Sequence, residues 1–332
     1  MRILSKLGEN KKLIGCVLAA TLLFGGVKMA RKSNPYLHSV TEAIKMMVSP
    51  IGKSETVKTA KMVSNSTEQT TSKDQGSTFY MDTHMHLFKP ENYQGGIEEI
   101  VDKAMERVEG MVVMVHEQGM GKDLSYETFK EEVKKDPKYE VIDHGKYLEV
   151  KTENDSLIAV KAQEIGQTED RHVLAIGCDG KVTRKKDMGA TLREIKRQNG
   201  IAIIAHPMTR KRKGFPYYGI ATKKEVEEEL DPFILYADGF ETFNSQNYLW
   251  LCQSNVKAEQ YARKYNLPGT AGSDTHGNLK QIGLAGIIID QDQLSADNFI
   301  EDLRTAIRNK KFKTHEEYTD PISFYNDMVK SR

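Results

Sequence analysis

From Ser77 onward, two patterns of hydrophobic residues alternate along the chain. Short apolar runs, such as residues 111–115 and 201–205, are typical of buried strands. Longer segments carry apolar residues at three- and four-residue spacing with charged residues between them, which predicts amphipathic helices. The clearest helices are predicted at residues 96–109, 126–135, 190–198, 223–230, 255–265 and 295–310. This alternation predicts an α/β domain with a largely parallel sheet.

The pattern before Ser77 is different. Residues 13–27 carry no charge and have basic residues on both sides, namely Lys11, Lys12, Lys28, Arg31 and Lys32. This arrangement is typical of a signal peptide or signal anchor. We predict an uncleaved, single-pass membrane anchor over residues 1–32, with secretion after cleavage as the alternative and a buried N-terminal helix as a third interpretation. Residues 33–76, rich in Ser, Thr, Lys and Gln, are predicted to form a flexible polar linker to the domain at residues 77–332.

Composition excludes some classes of function. The chain has 332 residues and a formal net charge of +1, which argues against bulk electrostatic binding to nucleic acid. Its three cysteines, Cys16, Cys178 and Cys252, are too widely spaced for a disulfide framework or a zinc knuckle. We therefore expect a globular domain whose chemistry comes from other residue types.

Histidines and carboxylates follow the predicted strands. His84 and His86 come directly after the apolar run at residues 78–81, and side chains two positions apart on an extended segment point to the same side. Both imidazoles can therefore reach one cation. The same arrangement recurs at the ends of later strand-like runs, in His116, Glu164, His206, Glu241, Asn244, Asp274 and His276. Because the carboxyl ends of the strands converge at one mouth of an α/β barrel, we expect these side chains to meet.

His172 joins the group through local geometry. Glu164 and His172 flank a polar segment that contains Gly166, and an antiparallel hairpin would bring the two side chains together. His144 is predicted instead to be a turn residue between strands, because Asp and Gly neighbours favour turns.

These segments resemble the PHP (polymerase and histidinol phosphatase) superfamily of metal-dependent phosphoesterases. The likeness covers roughly residues 78–289. It rests on the motifs Asp82-Thr83-His84-Met85-His86, Val115-His116, Gln163-Glu164-Ile165-Gly166, His172-Val173-Leu174, Ala205-His206-Pro207, Glu241-Thr242-Phe243-Asn244 and Gly272-Ser273-Asp274-Thr275-His276-Gly277. The resemblance implies a distorted (β/α)7 barrel and two to three clustered divalent ions, with residues 77–332 as the catalytic domain.

The resemblance also implies how the ligands are shared. It assigns His84, His86, Glu164 and Asp274 to a first ion, Glu164, His172 and His206 to a second, and His116 and His276 to a third. The chain departs from the family pattern at two positions: Gln94 stands where the family usually has an Asp in a Ser-Asp-Gly loop, and Val115 stands where it usually has an Asp before the histidine. We therefore expect two firm metal positions and a third that is partial or empty.

The mixed imidazole and carboxylate set favours Zn²⁺, Mn²⁺ or Fe²⁺ over Ca²⁺. Such ions can activate a hydroxide and clamp a phosphate oxygen, with Glu164 as the bridging carboxylate. His116 or His276, where it is not tied to metal, can protonate the leaving oxygen. Asp82 and Asn244 are predicted to support the ligands, Asp82 by accepting a ring N–H.

A basic and aromatic segment at residues 209–219 follows His206. In the functional interpretation, Arg210 or Arg212 grips a phosphate and Tyr217 or Tyr218 stacks on a base. The alternative is a solvated surface loop.

These features predict a membrane-tethered, metal-dependent phosphoric ester hydrolase. Its expected partner is a small phosphorylated substrate, such as a nucleotide, an oligonucleotide end or a phosphorylated metabolite, without a stable nucleic-acid complex. One alternative is a degenerate PHP-fold binding or sensory module, which Gln94 and Val115 keep open. An amidohydrolase, which also opens with His-x-His, is disfavoured by Asp274-Thr275-His276.

Overall fold

A computed structural model describes residues 78–117, 121–168, 171–211, 218–248 and 251–320. The predicted anchor over residues 1–32 and the predicted linker over residues 33–76 lie outside the described residues. Among the described helices, none is long and apolar enough to cross a membrane.

The described part of the chain contains fifteen strands and six α-helices. The strands are β1 (Thr78–Asp82), β2 (Met85–His86), β3 (Gly110–His116), β4 (Glu140–Asp143), β5 (Tyr147–Lys151), β6 (Ser156–Thr168), β7 (Arg171–Ile176), β8 (Ile201–Ala205), β9 (Thr209–Lys211), β10 (Tyr218–Ile220), β11 (Gly239–Asn244), β12 (Gly269–Gly272), β13 (Thr275–His276), β14 (Ala285–Asp290) and β15 (Lys313–Glu316). The helices are α1 (Gly96–Met105), α2 (Tyr126–Lys135), α3 (Met188–Arg197), α4 (Lys223–Glu229), α5 (Cys252–Tyr265) and α6 (Phe299–Arg308).

All six predicted helices are confirmed, and their ends follow local capping. α2 begins at Tyr126 because the Ser125 side chain accepts the N–H of Thr128. α4 begins after Thr222, whose side chain forms a capping box with Glu225. The predictions differ from the structure at the ends: α1 and α6 are shorter than the predicted segments, whereas α3 and α5 begin two and three residues earlier.

The main sheet is mixed and nearly closed. Its strands follow the order β12-β11-β8-β7-β6-β3-β1-β14-β15, and β12 also lies beside β14, so the ends of the sheet approach each other. Seven strands (β1, β3, β6, β8, β11, β12 and β15) point the same way, while β7 and β14 run against them. The sheet is therefore less uniformly parallel than predicted, because the β6–β7 hairpin inserts a reversed strand beside β8. The barrel-like α/β architecture is as expected.

The central strands are buried on both faces. Along β8, Ile201, Ile203 and Ala205 belong to one hydrophobic cluster, whereas Ala202 and Ile204 belong to another that includes α3 and α5. Strands that are covered on both faces read as continuous apolar runs. Polar side chains in these strands therefore lie mainly near the strand ends. The candidate metal ligands lie near the carboxyl ends of the parallel strands.

The segment at residues 209–219 is not simply a loop, as the sequence suggested. Its described parts form a short antiparallel ribbon in which β9 pairs with β10, with Arg210 opposite Gly219. Residues 212–217 lie outside the described residues.

Candidate metal centre

Strand pairing brings the predicted ligands to one end of the barrel. β3 and β6 are parallel and in a register that places His116 opposite Glu164. β2 and β13 are parallel and place His86 opposite His276. The side chains converge because these registers place Glu164 of β6 at the level where β2, β3 and β13 end.

Glu164 lies at the middle of the group and is 3% exposed. Its Oε1 lies 2.6 Å from Nδ1 of His172 and 3.2 Å from Nε2 of His206. Its Oε2 lies 3.2 Å from Nε2 of His86 and 3.2 Å from Nε2 of His116. Each carboxylate oxygen therefore faces a different pair of imidazoles, which is the geometry expected of a carboxylate that bridges two cations.

Asp274 is the second carboxylate of the group. Its Oδ1 lies 3.2 Å from Nε2 of His84 and 3.9 Å from Nε2 of His86. Asp274 and His206 both have positive φ values, 51° and 27°. Left-handed backbone at residues other than glycine costs about 1–3 kcal/mol and is concentrated at functional sites. The fold therefore maintains strain at two of the residues whose side chains face the centre.

The ligand atoms form four overlapping groups, each with all its atoms within 4.8 Å of one another: His84, His86 and Glu164; Glu164, His172 and His206; His84, His206 and Asp274; and His86, His116 and His276. All eight predicted ligands are in these groups. Nε2 of His84 and both ring nitrogens of His86 are buried without a hydrogen-bond partner among the described atoms. Unpartnered buried nitrogens are costly, and a cation would satisfy them. The residues therefore fit divalent metal ions.

Charges in the group are complementary to cations. Burial raises the pKa of the Glu164 carboxyl, but nearby imidazoles, His172 foremost, outweigh burial and hold its pKa well below the usual range. Asp274 behaves in the same way: burial opposes ionisation, while His84 and the other imidazoles lower its pKa to about 2. Burial lowers the pKa of His86 to about 4, so this ring is neutral at neutral pH and can donate a lone pair.

Comparison with known proteins adds to this geometry. The PHP-associated family model matches residues 253–306, which include most of α5 and end within α6. The PHP resemblance is confirmed.

Two solved structures are similar at low identity. One is a two-domain protein from Bacteroides vulgatus ATCC 8482 that contains a predicted PHP-like metal-dependent phosphoesterase, with 15% identity, a TM-score of 0.46, and coverage of 76% of this chain and 71% of that chain. The other is the lesion-specific endonuclease PfuEndoQ from Pyrococcus furiosus, with 15% identity, a TM-score of 0.44, and coverage of 70% of this chain and 56% of that chain. A comparison with curated proteins gave no significant match.

Glu241 is a buried member of the centre that the sequence placed beside Asn244 at a strand end without assigning it a specific role. Its Oε1 lies 2.9 Å from Nδ1 of His84, and its Oε2 accepts the backbone N–H of His206 at 2.6 Å. A carboxylate can only accept, so Nδ1 of His84 carries the hydrogen and Nε2 is left as a lone pair toward the centre. The available signal was its position three residues before Asn244 at a strand end.

Asn244 lies where the prediction requires. Its Nδ2 donates to Asp274 Oδ2 at 3.0 Å and to Glu241 Oε2 at 3.1 Å. Its backbone N–H is bound by Asn255 of α5. Asn244 therefore connects the two buried carboxylates and sets the orientation of Asp274.

Asp82 acts differently from the prediction. Its carboxylate accepts three backbone N–H groups, those of His84, Ser273 and Gly283, at 3.0–3.2 Å. The ring N–H of His84 goes to Glu241 instead. Burial raises the pKa of Asp82 to about 6, although these donors oppose the shift. Asp82 therefore holds the backbone between β1 and β2 in place and does not orient an imidazole.

Arg210 is not positioned to grip a phosphate, and this part of the substrate-binding prediction is corrected. Its guanidinium forms two contacts with Glu229, at 3.0 and 3.1 Å, and is 12% exposed. Glu229 also pairs with the buried Arg171, which donates to the carbonyl of Pro207. The contacts of Glu229 with Arg210 and Arg171 therefore hold α4 against the segment after His206. Two other predicted substrate contacts, Arg212 and Tyr217, lie outside the described residues.

Gly272 allows the first and last motifs to approach each other. A Cβ at this position would lie 2.4 Å from Cβ of His84 and 2.9 Å from Oε1 of Glu241. Only glycine fits between β12 and the His84 backbone without displacing one of them.

Proposed function

We propose that this chain is a metal-dependent phosphoesterase that hydrolyses a phosphate ester. The observation that carries the proposal is the position of Glu164, whose two carboxylate oxygens each face a separate pair of imidazoles at 2.6–3.2 Å. Asp274 adds a second buried anion beside them. Divalent ions bound there would neutralise charge on a phosphoryl group and lower the pKa of a water molecule.

The residues around the centre have separable roles. Glu241 and Asn244 hold His84 and Asp274 in orientations that present lone pairs to the centre. His276 lies at the open side, is 29% exposed, and has its Nδ1 2.9 Å from the carbonyl of Asp274. Because a carbonyl only accepts, Nδ1 of His276 carries a hydrogen. Its Nε2 is left as a lone pair that can bind an ion beside His86 and His116 or, with that ion absent, take a second proton and deliver it to the leaving oxygen.

Exposed cations beside the centre favour an anionic substrate. The N–H of Val182 donates to Gln163, the residue before Glu164, and the N–H of Arg184 donates to Glu117, the residue after His116, both at 2.8 Å. These bonds fix the segment from Lys181 to Lys186 against the strands that carry two ligands. The segment exposes four basic side chains: Lys181, Arg184, Lys185 and Lys186. With Arg210 paired to Glu229, this rim segment is the better candidate for binding phosphate among the described residues.

The proposed substrates are a nucleotide, an oligonucleotide end or a small phosphorylated metabolite, and the proposed ions are Zn²⁺, Mn²⁺ or Fe²⁺. All three substrates bring negative charge toward the rim segment as well as a scissile ester to the centre. The ligand set of imidazoles and carboxylates suits these borderline ions.

The experiment is a substrate panel with controlled metal. Purified protein is stripped with chelator and reloaded separately with each of the three ions. It is then assayed on phosphomonoesters, phosphodiesters, dinucleotides and cyclic amides. We expect turnover of a phosphate ester that is lost on stripping and in His84→Ala. Metal binding without turnover of any ester would favour a binding module, and turnover of the amides would favour an amidohydrolase.

We further propose that residues 1–32 anchor the domain to a membrane, on the strength of the uncharged run and its basic flanks. The test fuses residues 1–35 to a soluble reporter. Recovery of the reporter in the membrane fraction, at unprocessed length, is expected. An unprocessed reporter found entirely in the soluble fraction would exclude the anchor.

A further inference from the structure

A short segment from elsewhere in the chain lies against the first histidine motif. The N–H of Lys89 donates to the carbonyl of Lys122, and the N–H of Leu124 donates to the carbonyl of Leu87, both at 2.9 Å. Between these bonds, Phe88 and Asp123 form an antiparallel bridge. The connection between β3 and α2 thus places Asp123 opposite Phe88, which follows His86 by two residues. In the sequence, 37 positions separate His86 from Asp123.

Asp123 holds His116 through two hydrogen bonds. Its Oδ2 accepts the backbone N–H of His116 at 3.0 Å and lies 2.9 Å from the ring Nδ1. An ionised carboxylate only accepts, so Nδ1 carries the hydrogen and Nε2 is left as a lone pair. That Nε2 faces the centre, 3.2 Å from Oε2 of Glu164. This is the carboxylate–histidine arrangement that fixes the tautomer of a ligand and raises its basicity.

The rings beside His116 are arranged to share a cation. His86 stacks on His116 with ring centroids 4.0 Å apart, and His276 lies 4.8 Å from His86. The three residues offer ligand atoms within 4.8 Å of one another. Both ring nitrogens of His86 are buried and have no hydrogen-bond partner among the described atoms.

Asp123 itself retains an unused acceptor. The residue is 7% exposed, and its Oδ1 is buried without a partner among the described atoms. A turn or helix cap would satisfy such an oxygen with backbone N–H groups, as Ser125 does for α2 two residues later. A buried carboxylate with one oxygen on an imidazole and the other free is instead suited to balance positive charge nearby.

We propose that Asp123 is a positioning residue that makes His86, His116 and His276 a competent third metal position. Three neutral imidazoles carry no charge to offset a divalent cation, and Oε2 of Glu164, 3.2 Å from His86 and His116, is shared with the rest of the centre. Gln94 and Val115 add no charge, so Asp123 supplies a further negative charge through His116. The third position is therefore expected to fill, whereas the sequence pattern alone predicts a partial or empty one. The proposal rests on the metal centre of the proposed function and not on its hydrolytic chemistry.

The test measures ions per chain without substrate. Full-length protein, stripped and then dialysed against Mn²⁺ or Zn²⁺ over a range of free concentrations, is analysed by elemental analysis. Asp123→Asn keeps an oxygen that can accept both N–H groups of His116 but removes the negative charge. We expect the wild-type chain to bind three ions. In Asp123→Asn, the weakest of the three sites should lose about 10- to 100-fold in affinity while the other two are unchanged.

A matched control separates this role from general loss of a buried carboxylate. Asp238 is 1% exposed, accepts the N–H of Ala202 and pairs with Arg308 at the start of β11, away from the centre. Asp238→Asn should leave all three affinities unchanged, and the melting temperature of each stripped variant reports folding independently of metal.

Two results would overturn the proposal: a wild-type chain that binds only two ions, or an Asp123→Asn chain that binds three with wild-type affinity. Both are distinguishable from failure of the proposed function. A chain that binds three ions but hydrolyses no ester retains this inference and loses the function. A chain that hydrolyses esters with two ions loses only this inference.

Discussion

The two oxygens of Glu164 divide the centre into two sides that are built differently. On the Oε1 side, the supporting carboxylate is Glu241, which lies within β11 and contacts His84 and the backbone of His206. On the Oε2 side, the supporting carboxylate is Asp123, which comes from a connection and contacts His116. The first side is held by the sheet itself. The second depends on a segment bound to the barrel by a few backbone hydrogen bonds.

This difference indicates how such a barrel can tolerate change at one position. A supporting carboxylate within a strand, such as Glu241, has its position fixed by the strand register. A supporting carboxylate on a connection, such as Asp123, needs only to come within hydrogen-bond distance of its imidazole. Gln94 and Val115 lack a negative charge. Asp123, which the fold brings opposite Phe88, can therefore supply one.

The largest effect is expected from Glu164→Gln, because this residue serves both sides. An amide lacks the charge and cannot accept on both atoms, so we expect bound metal to fall at every position. Turnover of any ester substrate should fall by at least about 10³-fold, equivalent to several kcal/mol. Elemental analysis and single-turnover assays check this. Retention of two ions per chain with near-normal turnover would show that Glu164 does not connect the sides.

Gly272→Ala should disturb the Oε1 side selectively through steric overlap with His84 and Glu241. Overpacking of this kind costs about 1–3 kcal/mol of stability, and we expect a lower melting temperature together with weaker metal binding. Gly180→Ala is the matched control, since a Cβ there meets only Gln198 at an ordinary 3.5 Å. Equal effects of the two substitutions would contradict the steric explanation.

Glu241→Gln should weaken metal binding on the Oε1 side by about 10- to 100-fold, because the ring of His84 loses its anionic partner. The position supported by Asp123 should keep its affinity. Metal titration of Glu241→Gln beside Asp123→Asn checks whether the two carboxylates act on different ions. Identical titration curves would mean that the centre behaves as one unit.

The smallest effect is expected from removing the rim cations Arg184, Lys185 and Lys186 together. Exposed charges contribute about 0.2–1 kcal/mol each, and screening keeps them near the lower value, so we expect KM for an ester with several charges to rise about 3- to 10-fold with kcat nearly unchanged. The effect should shrink at high salt. Alanine at Arg263, Lys264 and Lys310 removes equal charge as a control; Arg263 and Lys310 line a depression of about 360 Å³ near the start of β12. A matching rise in the control would assign the effect to net charge alone.

Much of the fold was predictable because it depends on local patterns. The six helices were predicted because amphipathic spacing acts within a few positions. Their starts follow equally local capping, as at Ser125 and Thr222. The reversed strand β7 was predicted to pair with β6, but its insertion beside β8, which makes the sheet mixed, depends on contacts between distant segments.

The amino-acid sequence by itself determined which residue types stand at the strand ends, and therefore the eight candidate ligands that the structure brings together. It did so because strand burial confines polar residues to the ends, which leaves a periodic signal in the chain. Only the tertiary structure decided which carboxylate supports which imidazole. Asp123, which is paired with Phe88, accepts hydrogen bonds from His116. Asp82 accepts hydrogen bonds from backbone N–H groups, and Arg210 pairs with Glu229. Such pairings depend on distances of about 3 Å between side chains from separate segments, and no local pattern records those distances.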